Sequence, residues 1–395
     1  MSSRTLPVRP ELEVLEREAL ELQRSGAHAT PQEAQQALAQ AYGLVSWERL
    51  VLACKLTDAI WRDDLDVLAE MIREDPELLF EDARGARSNW GPPMSYAANL
   101  GRDRLVLFLH QRGASDLQQA FERACLQGRL ETARRLYELG ARPIPGSVMG
   151  PCETLNADGL ALQLELGANF ADAFGDKLAP VALLLQTYSR APEGKHRCLE
   201  IVELRGIELP DTPPMAVHRG RIDLLEAHLA QDHGLFRKTF SHREIYPPEL
   251  GCAADESLAL HGTPLAGATL LHLCVDQDEI ELARWMLERG ADANARAALD
   301  AEGFGGHTPL FGCVVSQSFR TNQRRDDAFA RLLLDHGADA NARASLRKRL
   351  RFVEDESMHE YPGITPLAWG QRFHDRDWVN RDAMRLILER GGRPE

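Results

Sequence analysis

Residues 269–294 read TLLHLCVDQDEIELARWMLERGADAN, and this stretch decides the fold. In its second half, apolar residues recur at the three- and four-residue spacing of one helix face: Ile280, Leu282, Ala283, Met286 and Leu287. Thr269 is a residue type that caps helix starts, whereas Asp278 and Gly290 tolerate the left-handed backbone at which helices end. The stretch therefore predicts two short helices, the first starting after Thr269 and the second stopping at Gly290.

The same residue types at helix starts and helix ends recur along the chain. A Gly-Ala pair closes an apolar helical stretch at Gly113-Ala114, Gly140-Ala141, Gly167-Ala168, Gly290-Ala291 and Gly337-Ala338. A glycine or aspartate stands 12 residues before three of these closing glycines, at Gly101, Gly128 and Asp278. Thr308 and Thr365 each precede a Pro-Leu pair, whose proline can occupy the first helical position without losing a hydrogen bond. The pattern predicts an array of helix–turn–helix units, in which the core grows by adding repeats.

A threonine start of the type Thr-Pro-Leu-His-x-Ala, a following glycine and a closing Gly-Ala-Asp-x-Asn together resemble the ankyrin repeat. Residues 290–294 and 337–341 match the closing motif in full. The resemblance covers roughly residues 52–395 and implies an all-α, ankyrin-repeat solenoid of about nine helix–turn–helix units. An N-terminal helical cap and β-hairpin-like finger insertions complete this expected fold. The units begin near Cys54, Pro92, Gln119, Gly146, Lys177, Asp211, Thr269, Thr308 and Thr365.

The chain is expected to divide into four parts. These are an N-terminal helical cap (1–51), degenerate ankyrin units (52–232), an insertion (233–267) and well-formed units with long fingers (268–395). Within the cap we predict helices over 11–24, from the capping box Thr30-Pro31-Gln32-Glu33, and from Ser46. The cap is similar to the short helical segment that precedes ankyrin units in many bacterial proteins.

Five insertions are expected, of two kinds. Two of them, 187–196 and 316–327, fall between the helices of one unit. The others fall between units, where an ankyrin finger projects: 233–268, 295–307 and 342–363. Whether the apolar residues of 346–353 mark a helix or a strand stays open at this point.

Composition narrows the class of protein. The sequence holds 60 acidic and 46 basic residues, and a net charge of −14 disfavours non-specific binding to nucleic acid or to an anionic membrane. No apolar run is long enough to cross a bilayer, and residues 1–10 lack an apolar core, so we expect no signal peptide. The seven cysteines form no CxxC pair. We therefore expect a cytoplasmic monomer without a cofactor.

The C-terminal quarter carries the expected binding site. Aromatic residues concentrate there beside a basic run, and both residue types are favoured in protein interfaces. The predicted partner-binding residues are Phe304, His307, Arg343, Arg347, Arg349, Arg351, Tyr361, Trp369, Arg372, Phe373 and Trp378. Two alternatives stay open: the aromatics pack the fingers onto the helices, and the basic run pairs with the acidic run that follows it. His272 stands at the ankyrin histidine position, where the resemblance implies that it braces neighbouring turns.

No catalytic motif is found, which favours a non-enzyme. The leading hypothesis is a cytosolic protein–protein interaction module that binds a protein across the concave face and fingers of its last units. One alternative is a hydrolase or another metal-dependent enzyme, seated where His359, Glu360, His374 and Asp375 could converge on a metal. The other is a regulatory subunit of a neighbouring enzyme.

Overall fold

The computed structural model describes residues 4–26, 28–321 and 326–394. The chain splits into two compact units. Unit 1 comprises residues 1–151 and 158–169, and unit 2 comprises residues 152–157 and 170–395. Helices dominate the described residues, which confirms the predicted helix-rich class. None of the described helices has the combination of length and apolar character that crossing a membrane requires.

The N-terminal helices form as predicted. The first ten α-helices of the chain are α1 (Leu12–Arg24), α2 (Pro31–Ala41), α3 (Trp47–Trp61), α4 (Leu65–Glu74), α5 (Pro93–Leu100), α6 (Asp103–Gln111), α7 (Leu117–Leu126), α8 (Leu130–Glu138), α9 (Met149–Glu153) and α10 (Ala157–Glu165). At the start of α2, the Thr30 hydroxyl accepts a hydrogen bond from the Glu33 amide at 3.2 Å, and the Glu33 carboxylate accepts from the Thr30 amide at 3.1 Å. The Ser46 hydroxyl caps α3 in the same way.

The later helices all lie in unit 2. They are α11 (Ala179–Gln186), α12 (Pro192–Leu204), α13 (Pro213–His218), α14 (Ile222–Gln231), α15 (His242–Ile245), α16 (Leu270–Gln277), α17 (Ile280–Glu288), α18 (Pro309–Val314), α19 (Gln317–Arg320), α20 (Ala328–Asp335), α21 (Pro366–Arg372) and α22 (Arg381–Glu389). Helices α16 and α17 are the pair predicted from 269–294. The number of repeat units, about nine, stays a prediction.

The residues predicted to separate the helices have left-handed backbones. Asp278, which follows α16, has φ 68°, and Gly290, which follows α17, has φ 88°. The other predicted markers also have positive φ: Gly101, Gly113, Gly128, Gly140, Gly167 and Gly337. Glycine adopts this conformation without steric cost, which explains why the pattern is legible in the sequence.

Unit 2 carries one antiparallel β-hairpin among its described residues. Strand β1 (Ala344–Arg349) pairs with β2 (Met358–Ile364), and Lys348 lies opposite His359. The hairpin occupies the insertion predicted over 342–363, and Arg347, Lys348 and Arg349 of its basic run lie on β1. The insertion over 187–196 contains the start of α12, and that over 316–327 contains α19. Part of the latter, 322–325, lies outside the described residues.

The three insertions between units stand side by side. We call them finger 1 (233–268), finger 2 (295–307) and finger 3 (342–363). The Ala298 amide donates to the Gly267 carbonyl at 2.8 Å, which joins fingers 1 and 2. The Gly305 amide donates to the Ser345 carbonyl at 2.7 Å, which joins fingers 2 and 3. Gly305 has φ 116°, and a Cβ there would lie 2.2 Å from the Ala298 carbonyl oxygen, so only glycine fits.

A buried polar network joins the helices of unit 2. The Lys195 ammonium of α12 donates to His218 Nδ1 and to the Gln277 side-chain oxygen, both at 2.7 Å. Gln277 in turn donates to the Asp276 carboxylate at 2.7 Å, and Asp276 pairs with Arg190 at 3.1 Å. Burial lowers the pKa of Lys195 to about 7. Helices α12, α13 and α16 are therefore connected by hydrogen bonds as well as by apolar packing.

Candidate partner-binding groove

The three fingers line an open cavity of about 750 Å³, which we call the finger groove. Its volume falls in the range of binding pockets, which is about 300 to 1,000 Å³. Each finger contributes to its walls, with Phe240, His242 and Glu256 from finger 1, Leu299, Phe304 and His307 from finger 2, and Leu346, Arg347, Lys348, Arg349 and Met358 from finger 3. Four predicted site residues meet here: Phe304, His307, Arg347 and Arg349.

Apolar side chains stand exposed at the groove. Leu299 of finger 2 is 65% exposed, and Met358 of finger 3 is 55% exposed. Both line the groove. Single exposed apolar residues are common on protein surfaces, but several that border one cavity mark an interaction surface. Sequence reasoning missed both residues, although each is a large apolar residue within a mostly polar finger.

Arg347 lies along the wall between fingers 2 and 3. Its guanidinium pairs with the Asp300 carboxylate at 2.7 Å and with Glu302, and it stands over the Phe304 ring at 5.1 Å from the ring centre. Phe304 is half-buried under this contact. Because Arg347 bridges two fingers, it fixes the shape of the groove wall as well as contributing positive charge.

Lys348 is a buried cation on the same wall. The residue is only 6% exposed, and its ammonium forms no hydrogen bond or ion pair within the described part of the chain. Burial lowers the pKa of Lys348 to about 8, against the opposing effect of Glu256 and Asp276. Lys348 is not among the expected site residues, because the sequence alone does not show which strand face it occupies.

The remaining basic residues contact their own hairpin. The Arg343 guanidinium donates to the Gly363 carbonyl at 2.7 Å, and Arg349 Nε donates to the Glu356 carbonyl at 3.1 Å. Arg351 lies 3.2 Å from the Glu356 carboxylate. Of these three contacts, that of Arg351 joins the basic run to a carboxylate of the same finger, whereas those of Arg343 and Arg349 are to backbone carbonyls.

The burial of three aromatic residues corrects their predicted role as partner contacts. Tyr361, Trp369 and Phe373 are buried, and Trp369 has 0% exposure. The Tyr361 and Phe373 rings each lie 4.8 Å from the Trp369 ring, in edge-to-face geometry. Trp369 Nε1 donates to the Thr263 hydroxyl at 3.1 Å. The three side chains pack finger 3 onto α21 and tie finger 1 to it, which is the second alternative left open by the sequence.

Two further predicted contact residues are buried, and a third lies outside the groove. His307 is 1% exposed and donates from Nε2 to the Pro264 carbonyl at 3.0 Å. Trp378 is 3% exposed. Arg372 is exposed but is not among the residues that line the groove. Of the predicted set, the exposed or half-exposed residues beside the groove are thus Phe304, Arg347 and Arg349.

His272 braces two turns, as the resemblance implied. Its Nδ1 accepts hydrogen bonds from the Thr269 hydroxyl at 2.8 Å and from the Thr269 amide at 3.3 Å. Its Nε2 donates to the His307 carbonyl at 3.1 Å. This arrangement requires a neutral imidazole with the proton on Nε2, and burial lowers the pKa of His272 well below its usual value.

The burial of His307 predicts a loss of stability in mild acid. Burial lowers the pKa of His307 to about 4, with partial opposition from its bond to Pro264 and from Glu256. The unfolded chain, with a histidine pKa of about 6.5, binds a proton that the folded chain excludes. Stability from this group is therefore complete above pH 6.5 and is lost progressively as the pH falls towards 4. Between pH 7 and 5, the expected loss in free energy of unfolding is about 1 to 2 kcal/mol.

Urea unfolding at the two pH values measures this loss. The His307→Gln variant keeps an N–H donor towards Pro264 and removes the titration, so its stability should fall less over the same interval. Equal losses in the two proteins would contradict the assignment.

The histidines of the alternative metal site do not form a ligand set. His359 and His374 stack with their ring centres 4.0 Å apart. His359 Nε2 is 2.9 Å from the Asp355 carboxylate, and His374 Nδ1 is 2.6 Å from the Tyr361 hydroxyl. Within the described ranges, no group of three or more histidine, cysteine, aspartate or glutamate residues is arranged to hold a metal ion.

Comparison with known proteins identifies one repeat directly. The ankyrin repeat family model matches residues 266–298, which contain α16 and α17. Among solved structures, the crystal structure of the human ASB11 ankyrin repeat domain is 18% identical, with a TM-score of 0.24 over 78% of this chain and 100% of that chain. No curated protein matches the chain in sequence. The helix pair at 270–288, its threonine start, its bracing histidine and its left-handed Asp278 are the features of that repeat, and the chain therefore contains an ankyrin repeat at residues 266–298.

Proposed function

We propose that this protein is a protein-binding module, which holds a segment of a partner protein in the finger groove of unit 2. Ankyrin repeats generally mediate protein–protein interaction. The observation that carries the proposal is the exposure of Leu299 and Met358 at a groove of about 750 Å³ formed by three joined fingers. We further propose that the protein acts as a cytosolic monomer, with the four-part organisation described above and without a nucleic acid partner.

The chemistry of the groove favours a partner with apolar side chains flanked by polar ones. Leu299 and Met358 offer apolar contact, whereas the exposed Arg349 and the half-exposed Arg347 offer hydrogen-bond donors around it. Protein interfaces share this arrangement of an apolar centre within a polar rim. The buried residues Trp369, Phe373 and Trp378 are left out of the proposed contact surface.

Site-specific photo-crosslinking tests where the partner lies. A crosslinking amino acid at position 299 or at position 358 should trap the same protein in the source cell. The same amino acid in place of Phe174, which is 97% exposed in unit 2 and does not line the groove, should not trap it. Recovery of one protein from all three positions, or of no shared protein from the first two, would contradict the proposal.

Substitution then measures the contribution of each contact. Leu299→Asp and Met358→Asp should each weaken binding of the crosslinked partner by about tenfold or more, because a contact at the centre of an interface contributes on the order of 1 to 2 kcal/mol. The stability of both variants should change by less than about 0.5 kcal/mol, since both side chains are exposed. Phe174→Asp is the matched control, and it should leave affinity unchanged. Unchanged affinity in both groove variants would argue against this site.

A further inference from the structure

Unit 1 contains a second cavity, which is strongly cationic. It has a volume of about 390 Å³ and lies between the N-terminal segment and the loop that precedes α5. Three arginines line it, Arg4, Arg84 and Arg87, together with polar groups of Ser88 and Asn89. Over the described residues, no aspartate or glutamate lines this cavity. The finger groove and a neighbouring cavity of about 490 Å³ in unit 1 differ from it, because both have carboxylates in their walls.

Arg84 is the unusual member of the three. The residue is 6% exposed, and its Nε is buried without a hydrogen-bond partner. In the part of the chain that the structure describes, its guanidinium forms no hydrogen bond and no ion pair. Arg190 of unit 2 is a useful comparison, because it is buried to a similar degree, at 4% exposure. Arg190 donates to several backbone carbonyls and pairs with Asp276, as buried arginines generally do.

The nearest acidic influence on Arg84 does not neutralise it. Asp82 acts on it electrostatically without forming an ion pair, and the Asp82 carboxylate accepts from the Ser88 amide and the Ser88 hydroxyl, both at 2.8 Å. Burial lowers the pKa of Arg84 below its usual value. A guanidinium nevertheless stays protonated in proteins, unlike the ammonium of a lysine such as Lys348. Arg84 therefore carries a largely buried charge that no described residue pairs with, and such a charge is unfavourable unless an anion joins it.

The other two arginines differ in the contacts that they form within the protein. Arg4 donates to the Glu18 carboxylate at 3.1 Å and stands over the Tyr42 ring at 6.0 Å from its centre. Arg87 is exposed. Arg84 and Arg87 thus bring two positive charges to the cavity. The charge of Arg4 also lies there, but Glu18 partly neutralises it. A dianion matches this charge better than a single carboxylate, and arginine is the residue best suited to bind phosphate oxygens with paired N–H groups.

We propose that this cavity binds the phosphate of a phosphomonoester, with Arg84 as the main binding residue and with Arg87 and Arg4 beside it. A phosphate alone fills a small part of about 390 Å³, so the organic portion of the ligand also lies in the cavity. The phosphate belongs either to a small metabolite or to a phosphorylated side chain of another protein. The site lies wholly in unit 1 and is independent of the finger groove.

Calorimetric titration of the full chain with inorganic phosphate and with O-phosphoserine, at constant ionic strength, tests the proposal. Wild-type protein should bind both saturably, and serine should not bind. Arg84→Met should weaken binding by at least about tenfold, because it removes a charge-assisted pair of hydrogen bonds. Its melting temperature in phosphate-free buffer should equal or exceed that of the wild type, since the variant loses an unpaired buried charge.

Two further variants keep the test decisive. Arg73→Gln changes net charge equally but alters a surface arginine of unit 1 that does not line the cavity, so it should bind phosphate as the wild type does. Arg87→Gln alters an exposed residue, so it should fold normally and bind phosphate several-fold more weakly than the wild type. It therefore tests the site even if Arg84→Met fails to fold. Absence of saturable phosphate binding by the wild type would overturn the proposal, as would wild-type affinity in both Arg84→Met and Arg87→Gln.

The source of the phosphate is settled by comparing ligands. Tighter binding of a phosphoserine peptide than of glycerol phosphate assigns the site to a phosphorylated protein. The reverse order assigns it to a small phosphate ester. Both orders support a phosphate site.

Discussion

Replacing Trp369 with alanine is expected to lower the free energy of unfolding by about 3 to 5 kcal/mol. The side chain has 0% exposure and contacts the rings of Tyr361 and Phe373 at 4.8 Å. Its indole N–H also donates to the Thr263 hydroxyl, so the substitution both leaves a cavity and removes a buried hydrogen bond. The lost packing is that of finger 3 on α21. Finger 1 also loses the hydrogen bond that Thr263 accepts from Trp369.

Urea unfolding followed by circular dichroism measures this effect. Phe174→Ala is the control, because Phe174 is an aromatic residue of the same unit that is 97% exposed. Its substitution should change stability by less than about 0.5 kcal/mol. Similar stabilities of the two variants would contradict the packing described for Trp369. Reduced partner binding by Trp369→Ala would report disturbed fingers rather than a lost contact, which is why the binding test uses Leu299 and Met358.

Replacing Asp276 with alanine is expected to be nearly as damaging, at about 3 to 5 kcal/mol. Its carboxylate faces Arg190 at 3.1 Å, and the two side chains are 5% and 2% exposed. Without Asp276 the guanidinium keeps its carbonyl partners but loses the carboxylate that pairs with it. Gln277 loses an acceptor at the same time. Removing one member of a buried ion pair is costly because the other charge stays desolvated.

The chain contains a matched surface pair for comparison. Arg385 and Asp382 lie at the same distance of 3.1 Å, but their side chains are 69% and 47% exposed. Asp382→Ala should therefore cost less than about 1 kcal/mol, because water already screens the exposed pair. The measurement is the same urea titration. Equal costs for Asp276→Ala and Asp382→Ala would show that burial does not set the strength of the Arg190 pair.

The helices could be predicted because their limits depend on local chemistry. Thr30 and Ser46 accept hydrogen bonds from amides only three residues away, and Asp278 and Gly290 adopt the left-handed backbone that their residue types allow. These rules act within a few residues, so the sequence displays them directly. The bracing role of His272 followed from the resemblance, and its bonds to Thr269 are equally local.

The polar network and the site could not be predicted in the same way. Arg190 and Asp276 are 86 residues apart, and neither lies in a motif. Trp369 reads as a surface aromatic in the sequence because its burial depends on a hairpin whose strands the sequence did not reveal. Phe304, Arg347 and Arg349 line one cavity, and their role in partner binding stays a prediction. Arg84 gave no signal, because an unpaired buried charge is visible only when its surroundings are known.

The hydrogen bonds between the fingers join main-chain groups, so the width of the groove does not depend on the side chains that set its selectivity. Every residue type except proline carries both the amide N–H and the carbonyl groups that join position 298 to 267 and position 305 to 345, so the gap stays the same width when side chains facing it change. Gly305 must be kept, because no other residue fits beside Ala298, and so must Gly267, which has φ 72° and where a Cβ would lie 2.8 Å from the Ala298 Cβ. A library that varies Leu299, Arg349 and Met358 while retaining Gly305 should thus retarget the protein to new partners without redesigning its framework.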